Sequence, residues 1–141
     1  MTRVDFYTSA ADKLQTACRL SAKAYGRGLR VTILTPDPET SRRLDEMLWR
    51  DAGFLPHCLA EDPLAAETPI VIDDKGENHF HDDVLFNLRL ETPAAFSRFS
   101  RLVEIVGESE ADVTAGRTRF RFYRDRGYET HHHNLKGGDA A

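Results

Sequence analysis

Residues 117–126, Arg-Thr-Arg-Phe-Arg-Phe-Tyr-Arg-Asp-Arg, hold five arginines and three aromatic rings in one short stretch. Guanidinium groups are the side chains best suited to planar, bidentate contact with carboxylates and phosphates. The stretch carries +4 in a chain whose net charge is −4, so the other 131 residues carry about −8. A protein that grips nucleic acid along a whole face spreads positive charge over that face. One basic spot on an acidic body points instead to a small anion: a carboxylate, an acidic peptide or a single phosphate.

Other chemistry is sparse. In His79-Phe80-His81-Asp82-Asp83, imidazoles two apart on an extended segment point the same way, and the carboxylates could complete a metal shell. Set in a polar loop, the cluster reads more simply as a solvated turn, and no metal is assigned to His79 or His81. His131-His132-His133 could take up metal in solution without forming a site. Cys18 and Cys58 show neither metal nor redox spacing, and both are expected reduced in the cytoplasm. After the first strand the turn is Thr8-Ser9-Ala10-Ala11, with no glycine to bring backbone close to a phosphate. Gly26-Arg27-Gly28 follows a helix and precedes a strand, the reverse of a dinucleotide fingerprint, and reads as a helix cap. No Walker lysine motif or nucleophile elbow occurs. No catalytic residue and no cofactor are expected.

The elements that must position the arginines follow from periodicity. At 141 residues, with 40% hydrophobic and 30% charged side chains, the chain suits one domain with its own core. No apolar run approaches the roughly 20 residues of a membrane span, and the N-terminus lacks the apolar stretch of a signal peptide. Strands are expected at Val4–Tyr7, Leu29–Leu34, Pro69–Ile72, Val84–Leu88 and Leu102–Val106. Helices are expected over about Ala10–Tyr25 and from Pro38, capped by Asp37, to about Arg50, with a short one at Pro93–Phe99. Ser109 with Asp112 three residues on resembles a capping box for a last helix. The arginine stretch sits on that helix, although it also alternates as a strand would and Gly116 costs a helix about 1 kcal/mol; the cap before it and Gly127 after it favour helix. The sum is an α/β three-layer single domain over 1–128, a largely parallel sheet with helices on both faces and no nucleotide-binding loop. Residues 129–141 have little to bury and are expected to form a disordered tail.

Helical geometry sorts the candidate residues. Leu44, Met47 and Leu48 form the inward stripe of the second helix, from which Trp49 is rotated by about 140°. Trp49 either seals a core edge with Phe54 or is an anchor for a partner, where tryptophan is enriched. On the last helix, Arg117, Arg121 and Arg124 share one face, beside a stripe of Val113, Gly116, Phe120 and Tyr123. Those arginines either pair with Glu104, Glu108 and Glu110 as a solvated face, or border an apolar recess that accepts an anion. Arg119 and Arg126 read as solvent-facing charge.

Leu44-Asp45-Glu46-Met47-Leu48-Trp49, then Phe54-Leu55-Pro56-His57, then the closing Arg117-x-x-Phe120-Arg121-x-Tyr123-Arg124 and Gly127-Tyr128 resemble the chi subunit of bacterial DNA polymerase III. The likeness spans Phe6-Tyr7 to Tyr128. It implies a non-catalytic accessory subunit with a Rossmann-like fold and no nucleotide, linking the clamp loader, through the psi subunit, to the acidic C-terminal tail of the single-stranded-DNA-binding protein. The family residues that hold that tail match Val106, Arg117, Phe120 and Arg121. The surface used by psi, and by a helicase in some bacteria, matches Trp49 and Phe54. Phe120 stands where a tyrosine is familiar and Arg121 where a lysine is familiar, so a hydroxyl is lost and charge is kept with new geometry. Two other readings stand beside this one: a direct single-stranded nucleic-acid-binding module built on the arginine and aromatic helix, and, more remotely, a nucleotide-dependent enzyme.

Overall fold

The structure is a computed structural model that describes residues 1–51 and 53–137. Seven strands form one sheet in the order β3-β4-β2-β5-β6-β1-β7, and every pairing is parallel. The strands are β1 (Arg3–Ala10), β2 (Val31–Leu34), β3 (His57–Leu59), β4 (Ile70–Asp73), β5 (Val84–Asn87), β6 (Arg101–Gly107) and β7 (Glu129–Asn134). Three helices cover them: α1 (Lys13–Gly26), α2 (Pro38–Asp51) and α3 (Glu110–Asp125). Among the described residues no helix is long and apolar enough to cross a membrane.

Alternation along each strand builds two cores. Tyr7, Val31, Ile33, Ile70, Val103 and Ile105 meet Leu14, Ala17 and Leu20 of α1 and Leu44 and Leu48 of α2. From the other face, Val4, Phe6, Leu85, Leu102 and Val106 meet Tyr123 and Phe120 of α3 together with Phe96 and Phe99. The sheet is thus buried from both sides, which is why β2, β4 and β5 read as continuous apolar runs. The three-layer α/β expectation holds.

Local signals placed most boundaries. Asp37 Oδ1 accepts from the Thr40 amide at 2.7 Å, Pro38 opens α2, and Ser109 Oγ accepts from the Asp112 amide at 3.2 Å. Asp12, not the expected Ala10 region, caps α1, accepting from the Gln15 amide at 3.1 Å, because β1 runs on to Ala10. The arginine stretch is helical, and Gly116 has a packing reason. A Cβ there would meet Val106 Cγ2 at 3.0 Å and Cγ1 at 3.1 Å, so glycine lets α3 lie close against β6. Pro93–Phe99 contains only a 3₁₀ turn at Phe96–Arg98.

Two expectations need correction. Residues 129–134 are not disordered: β7 adds to the sheet edge, with Phe6 opposite His132 and Asp5 opposite His131. Its side chains bury little, but its backbone completes the β1 ladder. The histidines then find partners on β1: His132 Nε2 lies 2.7 Å from Thr8 Oγ1, and His133 lies 3.2 Å from Asp5 and stacks on Tyr7 at 4.5 Å. The last part of the expected tail, 138–141, lies outside the described residues. Arg119, read as solvent-facing, is 3% exposed. It packs inward beside Gly116 and Tyr123 because Glu104, a carboxylate in the middle of β6, awaits it there.

Glu104 is fully buried. Its Oε1 accepts from Arg119 Nε at 2.9 Å and from Asn87 Nδ2 at 2.9 Å; its Oε2 accepts from the Tyr123 hydroxyl at 2.6 Å. Burial pushes the carboxyl above the ordinary range, opposed by the Arg119 charge and by the Tyr123, Asn87 and Arg119 hydrogen bonds. Burial, with Glu104 alongside, also drives the Tyr123 phenol far up, so it stays a neutral donor. The pairing of Arg117, Arg121 and Arg124 with Glu104, Glu108 and Glu110 is therefore not what the described residues show: Glu104 is taken by Arg119. Glu108 pairs instead with Lys136 at 2.7 Å. Removing one partner of a buried pair leaves the other charge unmatched, at roughly 3–5 kcal/mol. Arg119→Met should lower unfolding free energy by that amount in urea titration, and adding Glu104→Gln should restore much of it.

Candidate functional site

α3 lies across the end of β6 with Arg119 and Tyr123 turned inward, so Arg117, Arg121 and Arg124 line a groove beside it. The opposite wall comes from Thr8 and Ser9 at the end of β1 and His132 of β7. Phe6, Val106, Val113, Gly116 and Phe120 supply an apolar floor, and the groove holds about 500 Å³. Val106 is buried, Phe120 is half-buried, and Arg117 and Arg121 are exposed. Phe120 meets Phe6 edge-on at 5.4 Å between ring centres, which makes the floor firm. The four residues expected to act together, Val106, Arg117, Phe120 and Arg121, thus share one groove.

The electrostatics are one-sided. Among the described residues neither Arg117 nor Arg121 enters an ion pair, while Arg124 lies 3.2 Å from its neighbour Asp125. Two unmatched guanidiniums over an apolar recess suit a ligand that carries an anion and a hydrophobic group together. Backbone strain marks the facing wall. From Tyr7 to Ala10 β1 advances three residues while β6 advances two, from Ile105 to Gly107. Ser9 sits in this bulge at φ 61°, a left-handed conformation unusual for a residue with a side chain. Such strain gathers at ligand-binding sites.

Thr8, Ser9 and His132 join the arginines only through the fold. The β1 pair carried a usable signal, since open parallel sheets bind ligands beyond the C-terminal ends of their strands. His132 carried none, because only the β7 pairing brings it there. Arg126 remains solvent-facing, with its guanidinium 3.6 Å from the centre of the Phe122 ring.

The second pair of candidates lies at the other edge of the sheet. Trp49 is 68% exposed and Phe54 fully exposed, so neither seals a core edge. Trp49 leans on His57, ring centres 4.5 Å apart. The His57 ring is held by Leu55 O at 2.7 Å from Nδ1, and its Nε2 lies 3.2 Å from Asp45 Oδ1, an ion-pair distance without hydrogen-bond geometry. Trp49, Leu59, Asp45, Glu61 and Asp62 line a shallow depression of about 430 Å³. Phe54 lies past the end of α2 and outside it. Because β3 and β7 are the two edge strands, the tryptophan surface and the arginine groove are set far apart.

The remaining candidates take separate partners. His79 pairs with Asp82 at 2.5 Å, whereas His81 Nε2 lies 2.9 Å from Thr32 Oγ1, and burial lowers its pKa. Among the described residues no group of three or more His, Cys, Asp or Glu is arranged as metal ligands would be. Burial pushes the Cys18 thiol up to about 11, so it is not a ready nucleophile.

The family model described as DNA polymerase III chi subunit, HolC, matches residues 1–131. The chain belongs to the DNA polymerase III chi subunit family. Membership places it among the accessory subunits of DNA polymerase III, in DNA replication. Among curated chi subunits, that of Pseudomonas aeruginosa is 43% identical over 96% of this chain and 98% of its own. The chi subunit of Haemophilus influenzae is 30% identical over 86% of each chain. A solved structure, the C-terminal domain of the DEAD-box protein Dbp5, superposes with TM-score 0.63 at 10% identity, covering 96% of this chain and 92% of that one; this likeness concerns the fold alone. The chi-family match takes in all of α3 and the Trp49 surface, and stops one residue short of His132 of the groove.

Trp49 is the chain's single tryptophan and reports directly on its surface. Its emission should be that of a solvated indole and be quenched efficiently by acrylamide. A blue-shifted, protected emission would place the ring in the core instead.

Proposed function

We propose that the arginine groove holds the acidic C-terminal tail of the single-stranded-DNA-binding protein, and that the Trp49 and Phe54 surface holds the psi subunit or a helicase sharing that surface. The chain would then tether the clamp loader to protein-coated single-stranded DNA without catalysing a reaction. The observation that carries the first half is the pairing of unmatched Arg117 and Arg121 with the apolar floor of Val106 and Phe120. A peptide that ends in phenylalanine offers both halves of the match at one residue: a terminal carboxylate and a phenyl ring.

In this arrangement Arg117 engages the terminal carboxylate, the ring enters the recess between Val106 and Phe120, and preceding acidic residues meet Arg121 and Arg124. The absence of a hydroxyl on Phe120 leaves the floor wholly apolar, and Arg121 offers a planar fork in place of a lysine's point charge. A charge-assisted contact contributes roughly 1.5–3 kcal/mol, and burial of a phenylalanine side chain roughly 1.5–3 kcal/mol. With several such contacts and the cost of association, binding near −8 kcal/mol, or about micromolar, is expected. Salt should weaken it.

Direct stacking of single-stranded DNA on this helix has less support. Phe120 and Phe122 are half-buried and Tyr123 is buried, and Arg126 covers the Phe122 ring, so the helix offers no open aromatic platform of the kind such binding uses.

Arg117→Ala should weaken binding of an acidic phenylalanine-ended peptide by about 10- to 150-fold in calorimetry, the loss of one charge-assisted contact, with thermal stability nearly unchanged. Unaltered affinity, or stronger binding to an oligonucleotide than to the peptide, would overturn the groove assignment. Trp49→Ala should abolish capture of psi, or of the helicase, and leave the peptide titration as in the parent protein. Loss of both activities together would mean that the variant is misfolded.

A further inference from the structure

The wall of the groove that faces the arginines is less ordinary than the arginine wall itself. It is made where β1 and β7 end side by side, and its one ionisable group is His132. Phe6 pairs with His132 across the strands, and Thr8 holds its Nε2 at 2.7 Å. No hydrogen-bond partner for Nδ1 exists among the described residues. The ring is exposed to solvent.

We infer that His132 is a second anion-binding element of the groove, and that it makes ligand binding proton-coupled: the groove takes up a proton as it takes up an acidic peptide. The inference rests on the acidic-tail reading of the groove and extends it to the opposite wall. A protonated imidazole donates from both nitrogens. One donation goes to Thr8 Oγ1, and the other is left for a ligand carboxylate. A peptide with acidic residues before its last phenylalanine then lies between two cationic walls, Arg117, Arg121 and Arg124 on α3 and His132 on β7.

Among the described residues no other group is placed to carry the effect. From α3 the charged side chains lining the groove are three arginines, which do not titrate. From β6 come Val106 and Gly107, and from β1 Phe6, Thr8 and Ser9, none ionisable near neutrality. On β7 itself, Thr130 and Asn134 share the His132 side, while Glu129, His131 and His133 alternate to the other. There His131 pairs with Glu129 and His133 with Asp5. Beyond the strand ends, Lys136 pairs with Glu108 and Asp112 with Lys13. Imidazole is the side chain whose charge changes between about pH 5 and 8. The carboxylates of a bound ligand favour the imidazolium over the neutral ring. Protonation is therefore greater in the complex than in the free protein, which by linkage requires binding to tighten as pH falls.

The test is calorimetric titration of the full chain with an N-acetylated acidic peptide ending in phenylalanine, at pH 8 and pH 6 and constant salt, in two buffers of different ionisation enthalpy. For the parent protein, affinity should rise about two- to fivefold at the lower pH, the scale of one exposed charge pair, and the apparent enthalpy should depend on the buffer. His132→Gln, which keeps a donor for Thr8, should bind with a flat pH profile and no buffer dependence; His132→Arg should be flat and tight at both pH values; His131→Gln should behave as the parent. A parent protein that binds equally at both pH values, or a His132→Gln variant that keeps the pH dependence, overturns the inference and leaves the acidic-tail reading standing. Failure of the parent to bind the peptide at either pH removes both.

Discussion

A single buried carboxylate organises the half of this molecule that carries the arginine groove. Glu104 sits in the middle of β6 with no access to water and is tolerable only because Arg119, Tyr123 and Asn87 satisfy it. Arg119 and Tyr123 stand four residues apart on α3, on one face of the helix, so their joint attachment to one side chain sets the rotation of α3 about its own axis. Arg117 is then about 160° away from Arg119 around the helix, which excludes it from the sheet and delivers it, with Arg121 and Arg124, to the groove. Gly116 completes the constraint, because a larger residue would push α3 off Val106. The floor of the groove and the direction of its arginines are thus consequences of the same contact.

This arrangement separates two jobs that arginine does in one short stretch. Arg119 is structural, buried and paired. Arg117 and Arg121 are exposed and unmatched, which leaves their charge available to a ligand. A guanidinium spent on an internal carboxylate has little left for an external one, and the two classes alternate along the sequence because the helix turns by about 100° per residue. At the opposite edge of the sheet, Trp49 and Phe54 are held clear of both cores. The seven parallel strands of the sheet lie between the two surfaces.

How much of this could be read from the chain depended on the range of the interactions. Asp37-Pro38 and Ser109 through Asp112 announced two helix starts within a few residues, and the apolar runs of β2, β4 and β5 announced a sheet buried on both faces. The groove residues Val106, Arg117, Phe120 and Arg121 were legible through helical spacing and through their resemblance to the chi pattern. The short edge strands were not. β3 has three residues, and β7 reads Glu-Thr-His-His-His-Asn, with almost nothing apolar; it is held by backbone pairing to β1 and by polar contacts of Thr8 and Asp5. Those partners are more than 120 residues away in sequence, and no local pattern encodes them.

By itself, then, the sequence determined the layered α/β class, most helix boundaries, the family, and the concentration of positive charge near residue 117, because each is written in short-range periodicity, capping chemistry or motif. Tertiary structure alone decided which arginine is buried, since that depends on where Glu104 lies beneath α3. It alone decided that Trp49 is exposed and that His132 lines the groove. The physical reason is common to all three: burial and pairing are properties of where elements meet, and the free energy of a charged or aromatic side chain is set by what faces it across that meeting.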